Sequence, residues 1–481
     1  MSKADLILRS ARLIDGTGGP SLTGDLAVTD DRIAAMGDLT DWRAGIEIDA
    51  AGLALTPGFI DSHCHDDLAL LQTPLLEPKI SQGVTTVVNG NCGFSLAPNP
   101  PGRGPLPQPL ASLVPDPALM FPDFAAYFAR LRDEPAAVNS ICLCGHTTLR
   151  HAAMDRFDRP ATASEIATMR ALLDIALDQG AAGMSTGLYY PPATAAPTEE
   201  VIEIGQVLRA HGGLYVTHMR NEADGVIDSV RETLRIGRDT GVPAIVSHHK
   251  CMNPQNHGKS AVTLAMIDAA RAAGQDVGLD AYPYVAGSTF LFPDRVEQAA
   301  RVIVTWSEAM PEMGGRDLSD IAADLGLSLP EAAKRLLPAG AIYFQMDESD
   351  LRRILRHPLT MIGSDGLVAD PHPHPRAWGT FPRVLGHYAR DESLFPLEEA
   401  VHRMTGLTAA RFGLQDRGVL APGAFADLVL FDPATIHDTA SFAAPKHPAT
   451  GLRGVWCNGR QTWTGHAATG LRPGRVLARI S

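Results

Sequence analysis

The sequence predicts an α/β fold: a (β/α)8 TIM-like barrel with a small β-sandwich domain built from both termini. The middle of the chain alternates short apolar runs with amphipathic helical segments, whereas both ends consist of short alternating strands between turn residues. At about 290–345 the strand–helix rhythm breaks, which predicts an insertion after the seventh strand. The predicted domains are therefore a sandwich of residues 1–55 and 415–481 and a (β/α)8 barrel of residues 56–414.

Eight apolar runs in the middle of the chain have the length of buried parallel strands. They are Ala54–Ile60, Thr85–Val88, Ser140–Leu143, Gly183–Ser185, Leu214–Thr217, Ala244–Ser247, Val277–Asp280 and Thr360–Gly363. Strands that alternate with helices in eight successive repeats favour a closed barrel over an open sheet.

Two helices between these strands have clear end signals. In the first, Thr162–Asp178, Thr162 and Glu165 have the spacing of a capping box, and Gly180 ends the periodic pattern. The second, Glu199–Ala210, is expected to start after Thr198 as cap and to stop at the Gly212–Gly213 pair.

The two ends of the chain have the same texture of short strands and turns. The candidate strands are Asp5–Arg12, Asp25–Thr29, Arg32–Met36, Glu47–Ile48, Gly418–Leu420, Ala426–Asp432 and Gly454–Arg460. Because chain ends commonly lie close together, both groups can belong to one small domain.

Composition excludes several classes of protein. Of 481 residues, 45% are hydrophobic, and 41 basic against 54 acidic residues give a net charge of −13 with no basic run, which argues against nucleic-acid or anionic-membrane surfaces. The charged start of the chain argues against a signal peptide, and no apolar run reaches the roughly 18 residues of a membrane span. Six irregularly spaced cysteines favour a reducing compartment, so we expect a cytoplasmic protein, whose oligomeric state is left open.

Metal-ligating residues follow five of the predicted strands. They are His63 and His65 after the first strand, Cys92 after the second, His218 after the fifth, His248 after the sixth and Asp365 after the eighth. The carboxyl ends of barrel strands converge on one mouth, so these side chains are expected to meet there. A lone histidine at a strand end is more often structural, but thiolate, imidazole and carboxylate together suit zinc and disfavour magnesium or calcium.

One segment resembles the first-strand motif of the amidohydrolase superfamily, whose members are metal hydrolases on a (β/α)8 barrel with a small β-sandwich. It is the run Pro57-Gly-Phe-Ile-Asp-Ser-His-Cys-His-Asp66. Further segments resemble the D-aminoacylase (N-acyl-D-amino-acid deacylase) family and extend the resemblance over essentially the whole chain. They are Asn91–Ser95, Gly145–Arg150, Gly183–Pro191, Thr217–Glu222, Ser247–Lys250, Pro373–Phe381 and Ala426–Val429.

The resemblance implies which residues hold metal. Hydantoinase-like relatives bridge two metals with a carboxylated lysine after the fourth strand, but that strand is followed here by Gly183-Met-Ser-Thr-Gly-Leu188, without lysine. By resemblance, one tightly bound zinc is held by Cys92, His218 and His248. A second, weaker metal position is lined by His63, His65 and Asp365, with Cys92 shared between the two.

The same resemblance implies a mechanism. Zinc with three protein ligands activates a water molecule, and Asp365 is placed to take its proton as general base and to return it to the leaving amine as acid. The alternative is that Asp365 merely caps a helix from within Ser364-Asp-Gly366.

Substrate recognition is the least determined part of the interpretation. By resemblance Lys250, Tyr282, Ser288 and Arg295 bind the α-carboxylate, although each alone could be a solvated surface residue. Arg376 would select an acidic side chain if it points inward, and apolar side chains are favoured if it points outward. Tyr190 and His146, within family segments, complete the candidate substrate-binding set.

The sequence thus predicts a zinc-dependent enzyme that hydrolyses a small-molecule N-acyl-D-amino acid to a carboxylate and a free D-amino acid. The alternatives within the superfamily are a cyclic-amide hydrolase and a dipeptidase for peptides that end in a D-residue. A metal-binding scaffold without turnover is the alternative outside enzymology, against which the presence of all six ligands argues.

Overall fold

The structure is a computed structural model that describes residues 3–480, so the outermost residues of the predicted sandwich, 1–2 and 481, lie outside the described range. Its strands are β1 (Lys3–Leu13), β2 (Leu22–Thr29), β3 (Arg32–Gly37), β4 (Arg43–Asp49), β5 (Ala54–Pro57), β6 (Phe59–Asp61), β7 (Val84–Asn89), β8 (Asn139–Cys142), β9 (Cys144–Gly145), β10 (Gly183–Gly187), β11 (Leu214–His218), β12 (Ala244–Val246), β13 (Val277–Ala281), β14 (Ala286–Phe290), β15 (Arg301–Ser307), β16 (Ala339–Phe344), β17 (Thr360–Ile362), β18 (Leu428–Phe431), β19 (Leu452–Cys457) and β20 (Arg460–Trp463).

The α-helices are α1 (Ala69–Gln72), α2 (Glu77–Ile80), α3 (Leu110–Leu113), α4 (Phe124–Asp133), α5 (His146–Ala153), α6 (Ala163–Asp178), α7 (Pro191–Thr194), α8 (Thr198–Gly205), α9 (Val226–Thr240), α10 (Ser260–Ala272), α11 (Leu318–Leu325), α12 (Leu329–Leu336), α13 (Glu348–Arg356), α14 (Arg376–Arg383), α15 (Leu397–Met404) and α16 (Gly406–Phe412). Short 3-10 turns occupy Pro117–Leu119, Gln206–His211, Pro254–Asn256, Val296–Gln298 and Pro311–Met313, and a π-helix spans Val384–Asp391.

A closed barrel of eight parallel strands forms the centre of the molecule. Parallel pairing runs through β6, β7 and β8 and through β9, β10, β11, β12, β13 and β17. Strands β8 and β9 are two halves of one barrel strand, and the N–H of Ala182 joins them to the next strand through the carbonyl of Cys142 (2.8 Å). The N–H of Ser62 donates to the carbonyl of Ile362 at 3.3 Å and closes the ring between β6 and β17. The predicted TIM-type barrel is therefore present, with the strand ends gathered at one mouth.

The barrel interior is filled by apolar side chains from almost every strand. They form one buried cluster of Ile60, Val88, Ile141, Leu143, Ala182, Leu214, Val216, Ile245, Met361, Ala409, Phe412 and Leu414. Layers of branched side chains are the usual filling of such a barrel, and they leave the polar residues to the mouth.

The first predicted strand, Ala54–Ile60, is in fact two strands that belong to different sheets. Strand β5 pairs with β1 and β18 in the terminal sheet, whereas β6 starts the barrel. At the junction the N–H of Gly58 donates to the carbonyl of Asp427 at 2.7 Å, away from both ladders. A continuous apolar run carries no signal for this change of partner, so the prediction was wrong here.

Strands from both ends of the chain lie in one eight-stranded sheet. Its order is β20, β19, β18, β5, β1, β2 and β3, with β4 beside β1. The sheet has its own buried apolar cluster, which includes Leu8, Leu26 and Trp456. The predicted strand at Gly418–Leu420 is an irregular bend, held by the N–H of Leu420 on the carbonyl of Asp15 (2.9 Å).

The insertion after the seventh barrel strand is present but differs from the prediction. It begins at β14 rather than at about residue 290, and it contains an antiparallel sheet of order β14, β16, β15 besides helices α11 and α12. The prediction of an extra helical stretch overlooked the β-branched run Val302–Thr305, which lies in β15.

The helix end signals were largely reliable. Helix α6 begins after Thr162, and the reciprocal hydrogen bonds of Thr162 and Glu165 confirm the capping box. The second helix is shorter than predicted because α8 changes to a 3-10 turn before Gly212, and its cap is Pro197 rather than Thr198. Within residues 3–480 no helix is long and apolar enough to cross a membrane.

Candidate metal centre

Three of the predicted ligands have backbone in the left-handed region, which L-residues seldom adopt. The φ angles are 53° at Cys92, 35° at His248 and 47° at Asp365. Each follows a barrel strand, and hydrogen bonds fix two of them: His248 N–H donates to Asp280 Oδ1 (2.8 Å), and Asp365 N–H donates to the His63 carbonyl (2.7 Å). Such strain persists only where the surroundings enforce it and is concentrated at functional sites.

The six predicted ligands meet at the barrel mouth in two groups that share Cys92. One group is Cys92, His218 and His248, and the other is His63, His65, Cys92 and Asp365; within each group the ligand atoms lie within 4.8 Å of one another. The Cys92 Sγ atom is 3.3 Å from His63 Nε2, 3.5 Å from His248 Nε2 and 3.7 Å from His218 Nδ1. A buried thiol among imidazoles and one carboxylate is a donor set that fits zinc.

The electrostatic surroundings favour the thiolate form of Cys92. Burial by itself raises the pKa of this thiol, but the nearby imidazoles of His63, His218 and His248 outweigh burial and bring the pKa well below its ordinary value. The other buried thiols lack such neighbours, and burial raises the pKa of Cys144 well above its ordinary range. Because thiolate is the metal-binding form, Cys92 is distinguished chemically as well as by position.

Glu222 orients the two histidines of the first group, and the sequence interpretation gave it no role. Its carboxylate lies 3.1 Å from His248 Nδ1 and 3.4 Å from His218 Nε2. It also accepts a hydrogen bond from Lys250 Nζ at 2.7 Å. Carboxylates commonly fix metal-ligating imidazoles in this way. The available signal was its position at the end of the family segment Thr217–Glu222.

Asp280 contacts two further groups of the site, the ring of His63 and the backbone of His248. Its Oδ1 atom lies 3.6 Å from His63 Nδ1 and accepts the His248 N–H. Asp280 is fully buried and ends the seventh predicted strand, but the sequence interpretation considered only the ends that carry histidine, cysteine or the final aspartate.

Asp365 is held between cations and imidazoles. Its Oδ1 atom is 3.3 Å from His65 Nε2, and its Oδ2 atom is 2.9 Å from Arg376 Nη1. Burial raises the pKa of this carboxyl, but Arg376 and the imidazoles outweigh it and hold the pKa well below its usual range, so the group is ionised. The helix-cap alternative is wrong, because the next helix, α14, begins at Arg376 with Pro375 as its cap.

A cavity of about 430 Å³ opens beside these ligands. Its wall includes His218 and Asp365 together with five of the predicted substrate-binding residues, namely Tyr190, Lys250, Tyr282, Ser288 and Arg295. The volume is within the range for small-molecule sites.

Arg295 is the cavity guanidinium that is free to meet an anion. It stacks on the rings of Tyr189 (4.2 Å) and Phe292 (4.5 Å), and its buried Nη1 has no hydrogen-bond partner within the part of the chain that the structure describes. Burial lowers its pKa, and within residues 3–480 no carboxylate is in ion-pair contact with it. Lys250, by contrast, already donates to Glu222.

The structure does not bring Arg376 and His146 to the cavity wall. The guanidinium of Arg376 contacts three wall residues instead: Asp365, the ring of Tyr282 at 4.5 Å and the carbonyl of Ser288 at 3.1 Å. The predicted contact of Arg376 with a substrate side chain therefore has no support in the geometry.

His146 lies in a different buried network. Its Nε2 atom is 3.3 Å from Glu200 Oε1, and Glu200 also pairs with Arg150. Burial lowers the pKa of this histidine, as expected for a neutral structural imidazole. We therefore no longer expect His146 to bind substrate.

The fold and the site together define a metal-binding barrel protein of the amidohydrolase superfamily. A sequence model described as the amidohydrolase family matches residues 47–253 and 252–463. The chain is 56% identical to the D-aminoacylase of Alcaligenes xylosoxydans xylosoxydans over 99% of this chain and 98% of that one. It is 54% identical to the N-acyl-D-aspartate deacylase of the same organism over 99% and 95%.

A solved structure extends the likeness to three dimensions. The N-acyl-D-glutamate deacylase of Bordetella bronchiseptica, complexed with zinc and a phosphonate inhibitor that mimics the tetrahedral intermediate, matches with a TM-score of 0.95 at 48% identity. The match covers 99% of this chain and all of that one. The chain belongs to the D-aminoacylase (N-acyl-D-amino-acid deacylase) family of the amidohydrolase superfamily.

Substitution of the shared thiol tests the site directly. Cys92→Ala removes the one donor that both groups share, so the purified variant should lose the roughly one tightly bound zinc per chain expected of a three-ligand site. Metal analysis by mass spectrometry after dialysis measures this, and Cys144→Ala, another buried barrel thiol, is the matched control that should keep its zinc. Full zinc retention in Cys92→Ala would refute the assignment.

Proposed function

We propose that this protein hydrolyses N-acyl-D-amino acids to a carboxylate and a free D-amino acid in a zinc-dependent reaction. The observation that carries the proposal is the buried thiol Cys92, shared by two donor groups beside a cavity that contains the unpaired guanidinium of Arg295. The relatives support it, since three curated relatives that are covered to 95% or more are a D-aminoacylase, an N-acyl-D-aspartate deacylase and an N-acyl-D-glutamate deacylase.

The tight metal position is proposed at Cys92, His218 and His248, and the weaker position at His63, His65 and Asp365 with Cys92 shared. Zinc bound at the tight position would supply a Lewis acid for the acyl carbonyl and a water molecule of lowered pKa. Glu222 keeps the rings of His218 and His248 in orientation, so that their ligating nitrogens face Cys92.

Asp365 is the proposed general base and acid. Its ionised carboxylate can accept the proton of the attacking water and return it to the nitrogen of the leaving amine. Arg376 holds one carboxylate oxygen and His65 contacts the other, so the group is oriented before the substrate arrives. We therefore assign Arg376 to the orientation of the Asp365 carboxylate and not to recognition of the substrate side chain.

The α-carboxylate of the substrate is proposed to lie with Tyr282, Ser288 and Lys250. Arg376 touches Tyr282, Ser288 and Asp365, which places this part of the wall next to the reacting group. The hydroxyl of Tyr282 has no hydrogen-bond partner within the described chain and can donate to a substrate oxygen.

Arg295 lies farther along the wall, and we assign it to a carboxylate on the substrate side chain. Its guanidinium stacks on the ring of Tyr189 at 4.2 Å, and that ring in turn lies 5.0 Å from the ring of His218. This changes the earlier expectation that Arg295 binds the α-carboxylate, and it favours D-aspartate or D-glutamate derivatives among the substrates.

The proposal also includes the domain boundaries and the cellular location of the protein. The apolar cluster beneath the terminal sheet supports a small separate domain of residues 1–55 and 415–481 beside the barrel of residues 56–414. Strand β5 extends that domain to Pro57, so the barrel strands begin with β6. A cytoplasmic location is supported by the six cysteines, all of which are unpaired and buried.

A substrate panel tests the function against its alternatives. We expect amine release from N-acetyl-D-amino acids at a kcat/KM at least about 100-fold above that for the L-enantiomers, hydantoins and dipeptides that end in a D-residue. Prior removal of metal should abolish the activity, and added zinc should restore it. Faster hydrolysis of a cyclic amide or of a dipeptide would contradict the proposal and support a cyclic-amide hydrolase or a dipeptidase. No turnover of any substrate would support a metal-binding scaffold.

The role of Asp365 is tested separately. Asp365→Asn keeps the size of the side chain but removes the base, so kcat should fall by about 10²–10⁴-fold while the tight zinc remains. Zinc content and kcat are measured on the same preparation. Loss of the tight zinc with activity would show that Asp365 acts chiefly as a ligand.

Arg295→Met tests side-chain recognition. Loss of a charge-assisted contact should lower kcat/KM for N-acetyl-D-glutamate and N-acetyl-D-aspartate about 10- to 100-fold, with little change for N-acetyl-D-leucine. The matched control is Arg220→Met, because Arg220 lines the same cavity but is already paired with Glu232 at 2.8 Å. An equal loss for all three substrates in Arg295→Met would return Arg295 to the α-carboxylate.

A further inference from the structure

Lys79 is a fully buried lysine outside the groups assigned so far. It lies in the short helix α2, and its Nζ atom contacts Asp61 Oδ2 at 2.7 Å, Ser364 Oγ at 2.8 Å and Asp66 Oδ2 at 3.2 Å. The ammonium group donates hydrogen bonds to Asp61 and Ser364, and it forms an ion pair with Asp66. Lys79 therefore links three side chains and is not one half of a simple ion pair.

The partners of Lys79 lie on the two segments that carry the weaker metal position. Asp61 and Asp66 flank the segment with His63 and His65 after β6, whereas Ser364 directly precedes Asp365 after β17. The Asp61 carboxylate strengthens the link, since its Oδ1 atom accepts the N–H of Ser364 at 2.8 Å and that of His63 at 3.3 Å. One buried cluster thus ties the end of the first barrel strand to the end of the last.

Gln82 connects the segment that carries Lys79 to the helix that carries Arg376. Its amide donates to the carbonyl of Ala377 at 2.8 Å, and its Oε1 atom accepts the N–H of Phe381 at 3.3 Å, both in α14. Because Arg376 is the first residue of α14 and pairs with Asp365, the segment 79–82 contacts the chain segments that carry His63, His65, Asp365 and Arg376.

Buried charges are a costly way to obtain stability. A buried ion pair can often be replaced by apolar side chains without loss of stability, whereas removal of one partner leaves an uncompensated charge. In this cluster one lysine faces two carboxylates, which is an inefficient arrangement for stability alone. The position of the cluster, directly behind His63, His65 and Asp365, accounts for it better.

We propose that Lys79 is a positioning residue that holds the ends of β6 and β17 together, so that His63, His65 and Asp365 meet at the weaker metal position. The proposal rests on the proposed function for the identity of that position. Lys79 acts through these residues and does not touch the substrate.

The test compares Lys79→Met with Arg417→Met. Arg417 is also a buried cation, which precedes the terminal strand β18 and pairs with Asp427 and with Asn458 (2.9 Å). Because Asp427 also accepts from Asn139 at the start of β8, loss of Arg417 leaves a similar buried charge at the end of the barrel opposite the mouth. Thermal unfolding, binding of a second zinc to the one-zinc protein by calorimetry, and kcat and KM for the best N-acetyl-D-amino acid are measured on both variants and on wild type.

Both variants should unfold at lower temperature and keep one tight zinc. Lys79→Met alone should bind the second zinc about 10- to 100-fold more weakly, as for other residues that orient metal ligands. Its kcat should fall by a similar factor with KM changed less than about threefold, because misplaced groups slow the reaction itself. An unchanged Lys79→Met, or equal losses in Arg417→Met, would overturn the proposal.

If either methionine variant fails to fold, Ser364→Ala decides, because it removes one contact of Lys79 and leaves every charge in place. It should weaken second-zinc binding and lower kcat in the same direction, by about three- to tenfold, and unchanged values would overturn the proposal. Second-zinc binding is measured without substrate, so it remains informative even if wild type proves inactive on N-acyl-D-amino acids, a result that would refute only the proposed function.

Discussion

The interaction on which the site depends is that of one thiolate with imidazoles from three barrel strands. Cys92 lies within 3.7 Å of nitrogen atoms of His63, His218 and His248, and it belongs to both donor groups. Because a buried thiolate is unfavourable without cations, the site stabilises it by convergence of strand ends that only a closed barrel provides. The fold and the chemistry are coupled through this atom.

Buried carboxylates on the far side of the ligands complete the site. Glu222 orients His218 and His248, Asp280 lies against His63, and Lys79 with Asp61 braces the chain on either side of the remaining ligands. Asp280 also accepts the N–H of His248 and so helps to hold one of the three ligands whose backbone is left-handed. We propose that substrate recognition belongs to Tyr282, Ser288, Lys250 and Arg295 in the cavity wall.

Much of this could be predicted from sequence, for physical reasons. The ligands His63, Cys92 and Asp365 could be predicted because histidine, cysteine and aspartate at strand ends indicate metal binding. Closure of the barrel then brings these strand ends together. The change of sheet at Gly58 could not be predicted, because an apolar run does not encode its partner strand. The strands of the insertion were missed although β15 contains the β-branched run Val302–Thr305. Glu222 and Asp280 were not predicted, because a carboxylate shows its role only through the neighbour that it contacts. The direction of Arg376 stayed open in the sequence because a loop position does not fix it.

The most direct test of the central claim is a crystal structure of the zinc-loaded protein with anomalous diffraction at the zinc edge. The account predicts one strong peak bonded to Cys92 Sγ and to the imidazoles of His218 and His248 at about 2.0–2.3 Å, with any second peak weaker and on the side of Asp365. A zinc ion that does not contact Cys92, or two equally strong peaks bridged by another group, would contradict the account.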